Sequence, residues 1–149
     1  HLDVVLEPGR SLVGNAGVLL TTVEYLKPGA EKNFCIVDAA MTELMRPALY
    51  EAYHGIVPVK TKSIKSSTYD VVGPVCESGD WLGRDRSLAV EEGDLLAILS
   101  AGAYGFVMAS NYNTRPKPAE IMVDGKKVYV IRKRENTQDL FASEAVLPK

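Results

Sequence analysis

The chain has 149 residues, of which 46% are hydrophobic and 24% charged, with a formal net charge of −2; this is the composition of an ordinary folded domain with room for its own core. No apolar run reaches the ~20 residues that a membrane-spanning helix needs, and the lysines and arginines are spread among acids, so neither a membrane nor nucleic acid is an expected partner. Cys35 and Cys76 stand in different contexts and only His1 and His54 could join them, which disfavours a disulfide framework and a zinc site and suits a reducing, cytoplasmic compartment.

The apolar run at 2–6 (LDVVL) is stopped by Glu7-Pro8-Gly9-Arg10, a pattern that predicts a buried strand ending in a tight turn. No signal peptide precedes it, and so abrupt a start suggests a piece of a longer chain. Ser11 offers a helix cap. Residues 12–26 are apolar and β-branched but carry Gly14 and Gly17, so a short helix passing into a strand is expected. After the turn Lys27-Pro28-Gly29-Ala30, Phe34-Cys35-Ile36-Val37 reads as a buried strand ended by Asp38. Residues 40–53 fit a helix broken near Pro47, and 60–68 a polar loop.

Residues 71–76 read as a strand running into the turn Glu77-Ser78-Gly79-Asp80, with Trp81-Leu82-Gly83-Arg84-Asp85 beyond it exposed or functional. Glu91-Glu92-Gly93-Asp94 is a turn before a strand at 95–99. The small residues of Ala101-Gly102-Ala103-Tyr104-Gly105 let backbone come close to another group. The strongest hairpin signal is 119–123, an Asp124-Gly125 turn and 128–131, and 135–147 resembles a helix with an acidic start. Short strands punctuated by Gly and Pro imply a mostly β domain, a small barrel, with 2–10 borrowed from a neighbouring α/β domain.

Some motifs carry chemistry, each beside a plainer reading. Glu7-Pro8-Gly9-Arg10-Ser11 has a strand end, a glycine that bares amide N–H groups and a cation, as a phosphate site needs; it also suits a plain turn. Cys76-Glu77-Ser78-Gly79-Asp80 sets a thiol beside carboxylates, whose charge disfavours a thiolate and makes the thiol a better proton donor than resting nucleophile; a solvated turn is the alternative. Cys35 is expected to be core. Arg46 and Tyr50 share a helical spacing that suits a ligand carboxylate, or are a surface arginine and a packing tyrosine. Tyr104, framed by glycines, reaches a bound phosphate or ring, or packs in the core. Trp81 is a lid, an interface anchor or a surface aromatic, and Tyr112-Asn113-Thr114-Arg115-Pro116 is a loop.

In order, EPGRSLVGNAG (7–17), VDAAMTELMRPALY (37–50), GPVCESGD (73–80), AGAYGFVMASNYNTRP (101–116) and AEIMVDGKKVYVIRKRE (119–135) resemble the diaminopimelate decarboxylases. These belong to the alanine-racemase-like enzymes that use pyridoxal 5'-phosphate (PLP) and are built from an N-terminal (β/α)8 barrel and a C-terminal β domain. The resemblance implies that residues 1–22 hold the last barrel strand and its following turn, and 23–149 the β domain. It implies a lyase that converts meso-2,6-diaminopimelate to L-lysine, the last step of lysine biosynthesis. A head-to-tail homodimer would share its active sites between subunits.

By the same resemblance Glu7 faces the pyridine nitrogen of PLP, Gly9 and Arg10 lie at the phosphate and substrate end, and Tyr104 contacts cofactor and substrate. Arg46 and Tyr50 hold the distal end of the substrate, Glu77 its distal ammonium, and Cys76, arriving with Glu77 from the opposite subunit, returns a proton after decarboxylation. Ala39-Ala40 stands before Met41 where the family commonly has Ala-Gly. No lysine here matches the family's Schiff-base lysine, which belongs to the missing barrel domain, so this stretch alone is expected to be inactive. The rivals are a related decarboxylase acting on arginine, ornithine or carboxynorspermidine, and a non-catalytic β module.

Overall fold

The computed structural model describes residues 1–148. Its body is a 6-stranded sheet built from β1 (Leu19–Lys27), β2 (Phe34–Val37), β3 (Ile56–Pro58), β4 (Ser67–Val72), β5 (Trp81–Leu88) and β6 (Leu95–Ile98), in the spatial order β3-β6-β1-β2-β4-β5. The expected mostly β, barrel-like architecture is what forms. β1 is the long strand that makes the sheet curl. Its first half, Leu19 to Thr22, pairs with β6, and its second half, from Val23 to Lys27, pairs with β2. A register shift between Val23 and Tyr25 marks the hand-over, and such a bulge bends and twists a strand.

The edges β3 and β5 then come together. A Cβ at Gly83 on β5 would lie 2.8 Å from Ile56 Cδ1 on β3, so the sheet is nearly closed around one core. Alternation decides what enters it: Cys35 and Val37 from β2, Val71 from β4, Leu82 and Leu88 from β5, and Leu96 and Ile98 from β6 are buried with Val23, Ile56 and Leu44. Cys35 is core as expected, and burial raises its thiol to about 11, which keeps it an inert neutral group.

Several expectations need correction. Residues 2–6 make no strand, and Leu2, Val4, Val5 and Leu6 stand exposed; an apolar run becomes a strand only beside a partner edge, and no strand of the sheet lies beside it. Pro47 does not break a helix but starts one, α1 (Arg46–Tyr50), where its missing N–H costs nothing. The strand expected at 71–76 ends at Val72, because the Gly73–Asp80 stretch turns about a buried carboxylate. Residues 81–85 are the start of β5, with Arg84 and Asp85 exposed as expected but Leu82 and Gly83 buried. The hairpin forms as β7 (Glu120–Asp124) and β8 (Lys127–Arg132), with the turn one residue later, at Gly125-Lys126, and Gly125 at φ 57. Only one turn of the expected C-terminal helix appears, α2 (Thr137–Leu140), capped reciprocally by Asn136 and Asp139.

Two acids organise the connections. Asp80 accepts the amides of Met41 and Val75 at 2.6 and 2.7 Å. Burial raises its carboxyl above the ordinary value, against the lowering by those two amides. Asp38 accepts the Thr21 hydroxyl and the Thr22 amide at 2.5 and 2.8 Å. Burial works to raise that carboxyl, but the Thr21 and Thr22 bonds outweigh it and hold it below the usual range.

The body is not self-covered. All of β8 is exposed, and a two-stranded hairpin alone is marginally stable in water. A compact monomer of 16.2 kDa exposes about 7,500 Å², whereas this chain exposes 10607 Å².

Asp80→Ala strips the acceptor from two amides, and urea unfolding is expected to show a loss of about 3 kcal/mol; an unchanged midpoint would remove Asp80 from its organising role. For Asp38 the folded form binds its proton less readily than the unfolded form. Its contribution is therefore complete above the ordinary carboxylate value and is lost as pH falls through the lowered folded one. Stability of Asp38→Asn, followed against pH, should fall less steeply than that of the natural protein below about pH 4.

Candidate active site

The 3₁₀ turn at Gly14–Ala16 carries the Glu7 to Gly17 motif against the small-residue segment 101–105. Ala101 N–H donates to the Gly17 carbonyl at 2.9 Å and Gly102 N–H to the Gly14 carbonyl at 3.0 Å. The two backbones touch: a Cβ at Gly17 would lie 2.8 Å from the Gly102 nitrogen, and one at Gly102 would lie 2.7 Å from the Gly17 nitrogen. Only glycine fits on either side. This contact sets Gly9 beside Tyr104, where a Cβ on Gly9 would come within 3.4 Å of the Tyr104 phenol oxygen.

Tyr104 itself sits at φ 58, and Ser100 at φ 60, conformations that bulky residues adopt only when the surroundings hold them, at a cost of about 1–3 kcal/mol. The held direction puts the ring near Arg46. The Arg46 guanidinium carbon lies 5.5 Å from the Tyr50 ring centre and 5.7 Å from that of Tyr104, within cation–π range. Arg46 Nε is buried and has no acceptor among the described residues. A guanidinium held between two half-open phenols has the chemistry to pair with a carboxylate.

The structure thus joins Gly9, Arg46, Tyr50 and Tyr104 in one place. Arg10 lies at its rim, its carbonyl accepting the Gly14 amide at 2.8 Å and its side chain exposed. Glu7 is on the exposed N-terminal stretch. Cys76 and Glu77 are on the turn between β4 and β5, both exposed. Their neighbour is Tyr112, whose hydroxyl donates to Glu77 Oε2 at 3.5 Å; none of the Arg46 group takes part.

Some residues escaped the sequence reading. The segment around Tyr112 is no idle loop, since Arg115 donates to the Asp38 carbonyl at 2.7 Å and to the Thr42 hydroxyl at 3.1 Å and pairs with Glu43 at 3.4 Å. A capping-type signal, a glutamate near the start of a turn, was present at Glu43; nothing local pairs it with Arg115, which is far away in sequence. Trp81 packs under Arg84 at 4.1 Å, as a surface aromatic on β5. No group of three or more His, Cys, Asp or Glu side chains among the described residues could hold a metal, and no helix is long and apolar enough to cross a membrane.

The residues present suit a phosphorylated pyridine cofactor in part. Gly9 leaves its backbone open beside the Tyr104 phenol, 3.4 Å from where a Cβ would stand, and Arg10 follows it in the chain as a cation.

The family model for the pyridoxal-dependent decarboxylase, C-terminal sheet domain, matches residues 10–102. Diaminopimelate decarboxylase of Neisseria meningitidis serogroup B is 62% identical over 144 residues, 97% of this chain and 35% of that protein. The Vibrio cholerae diaminopimelate decarboxylase is 57% identical over 148 residues, 99% of this chain and 36% of the relative. Among solved structures, diaminopimelate decarboxylase from M. jannaschii in co-complex with L-lysine superposes with a TM-score of 0.92 at 47% identity, over 95% of this chain and 33% of that one. The chain spans about a third of the length of the curated relatives it matches. By its sheet, its sequence and the matched span, the chain belongs to the pyridoxal-dependent decarboxylase family, whose C-terminal sheet domain it carries.

Proposed function

We propose that the protein containing this chain decarboxylates meso-2,6-diaminopimelate to L-lysine, and that this chain supplies the substrate-holding and proton-returning part of the active site. The observation that carries the reading is Arg46, held between Tyr50 and Tyr104 with a buried, unpaired Nε. A substrate whose far end bears a carboxylate has a use for that cation, whereas ornithine or arginine would place another cation there. The same group lies against Gly9, so the carboxylate receptor adjoins the place where a phosphate would be cradled.

The division of labour follows from the residue chemistry. Gly9, Arg10 and Tyr104 would hold the phosphate end of pyridoxal 5'-phosphate, and Glu7 its ring nitrogen once the N-terminal stretch is covered. When bound, that cofactor accepts the electron pair left behind as carbon dioxide departs. Arg10 and Arg46 each offer a guanidinium fork for a carboxylate, Tyr50 and Tyr104 flank the substrate chain, and Glu77 neutralises its ammonium. Cys76 returns a proton to the substrate carbon that has lost its carboxylate.

As the resemblance implies, we assign Cys76 and Glu77 to the site of a second subunit in a head-to-tail homodimer; the hydrogen bonds of the Glu77 carboxylate go to Tyr112 and Gly79 and not to the Arg46 group. The stretch before the sheet, within residues 1–22, would be the last strand of a (β/α)8 barrel and its turn, with the β domain following to residue 149. That assignment gives the exposed run Leu2 to Leu6 a sheet to join. The surface in excess of a compact monomer, about 3,000 Å², is of the size that permanent partners bury. The barrel would also bring the lysine that carries the cofactor, and a biosynthetic enzyme of this kind would work in the cytoplasm.

The test is release of carbon dioxide and appearance of lysine from meso-diaminopimelate by the complete protein with pyridoxal phosphate, against ornithine, arginine and carboxynorspermidine. Turnover of diaminopimelate at least a hundredfold better in kcat/KM is expected. Preference for a substrate without the distal carboxylate would overturn the reading, and binding without any turnover would favour a non-catalytic module. In the active enzyme, Cys76→Ala should lower kcat by about 10²-fold or more with KM within a few-fold; an unchanged kcat would take Cys76 out of the reaction.

A further inference from the structure

Residues 110–117 form a strap pinned at both ends. The Ser110 amide donates to the Thr42 carbonyl at 3.0 Å, and Arg115 grips Asp38, Thr42 and Glu43. The Asn111 side-chain amide donates to the Arg115 carbonyl at 3.0 Å and to Glu135 at 2.7 Å, and the Lys117 amide donates to the same Glu135 carboxylate at 2.9 Å. Between the pins, Asn113 and Thr114 both hold φ 56. Asparagine accepts that conformation, but a β-branched threonine does so only under constraint. A strap so anchored and strained fixes the direction of the residue it displays, and that residue is Tyr112.

We infer that Tyr112 is a positioning residue for Glu77, orienting its carboxylate toward the ammonium of the substrate. The inference rests on the reading of Glu77 as the partner of that ammonium. Glu77 is exposed on a turn and, left alone, would spread over many rotamers. The Tyr112 hydroxyl reaches one of its oxygens at 3.5 Å and the Gly79 amide the other at 3.5 Å. Both contacts are long, as hydrogen bonds in an unliganded site often are before they tighten on binding. Both donors are neutral. They narrow the orientation of the carboxylate while leaving its charge and remaining lone pairs for a cation, where a lysine or arginine in place of Tyr112 would compete with the substrate.

Tyr112→Phe in the complete, cofactor-loaded enzyme removes one hydroxyl from a residue that is 47% exposed, so the fold is kept. The dissociation constant of L-lysine by calorimetry and KM for meso-diaminopimelate are each expected to rise about tenfold, with kcat within about threefold and the melting temperature unchanged. On a Glu77→Gln background, adding Tyr112→Phe should change lysine affinity no further, the coupling expected of residues that act through one another. If Glu77→Gln weakens lysine binding but Tyr112→Phe does not, or if the two losses add in full, the inference is wrong while the reading of Glu77 stands. If Glu77→Gln binds lysine like the natural protein, that reading fails and the role of Tyr112 falls with it.

Discussion

The contact of two glycine backbones, Gly17 and Gly102, is the constraint on which the site depends. Hydrogen bonds from residues 101 and 102 to the carbonyls of 17 and 14 hold the N-terminal turn against the segment after β6, and side chains on either glycine would push them apart. From that contact the rest follows in order. Gly9 reaches the Tyr104 phenol, Tyr104 is held in a left-handed conformation over Arg46, and Arg46 is left with a donor that nothing among the described residues accepts. A buried donor without an acceptor is costly in a protein that only has to fold, and in the proposed site a substrate carboxylate would offset that cost.

The sheet serves this arrangement by its curl. β1 changes partner from β6 to β2 at its bulge, which brings both of its ends into use: the start leads back to the 3₁₀ turn of the site, and the end continues the barrel wall. Asp38 and Asp80 fasten the connections that leave the wall, so that α1, with Arg46 and Tyr50, and the Cys76-Glu77 turn issue at set angles. The hairpin and the N-terminal run are the parts for which the chain provides no cover.

What could be read from residues alone was whatever depends on near neighbours. Phe34 to Val37 alternates into the core as expected, Gly93 and Gly125 adopt positive φ at turns, and the hairpin registers within one residue of its predicted turn. What failed depended on partners far off in sequence. The run at 2–6 has the side chains of a strand but no edge to pair with, and the burial of Leu82 and Gly83 within 81–85 is hidden because nothing local announces that β4 pairs with this segment. At the site, Arg46, Tyr50 and Tyr104 could be singled out from their spacing and their framing by Pro47 and the glycines, but spacing alone left a surface arginine and packing tyrosines equally open, and their meeting around one guanidinium shows only in the fold. Tyr112 could not be, since its meaning comes from Arg115 clasping Thr42 and Glu43, a pairing across most of the chain.

In the proposed division of labour this chain contributes the binding and proton-returning side of a cofactor site, and the cofactor's lysine lies outside it. The most direct measurement is borohydride reduction of the complete protein with pyridoxal phosphate, followed by peptide mass mapping. A single phosphopyridoxyl adduct on a lysine outside these 149 residues is the predicted result. A specific adduct on a lysine within them, or none anywhere in the protein, would contradict it.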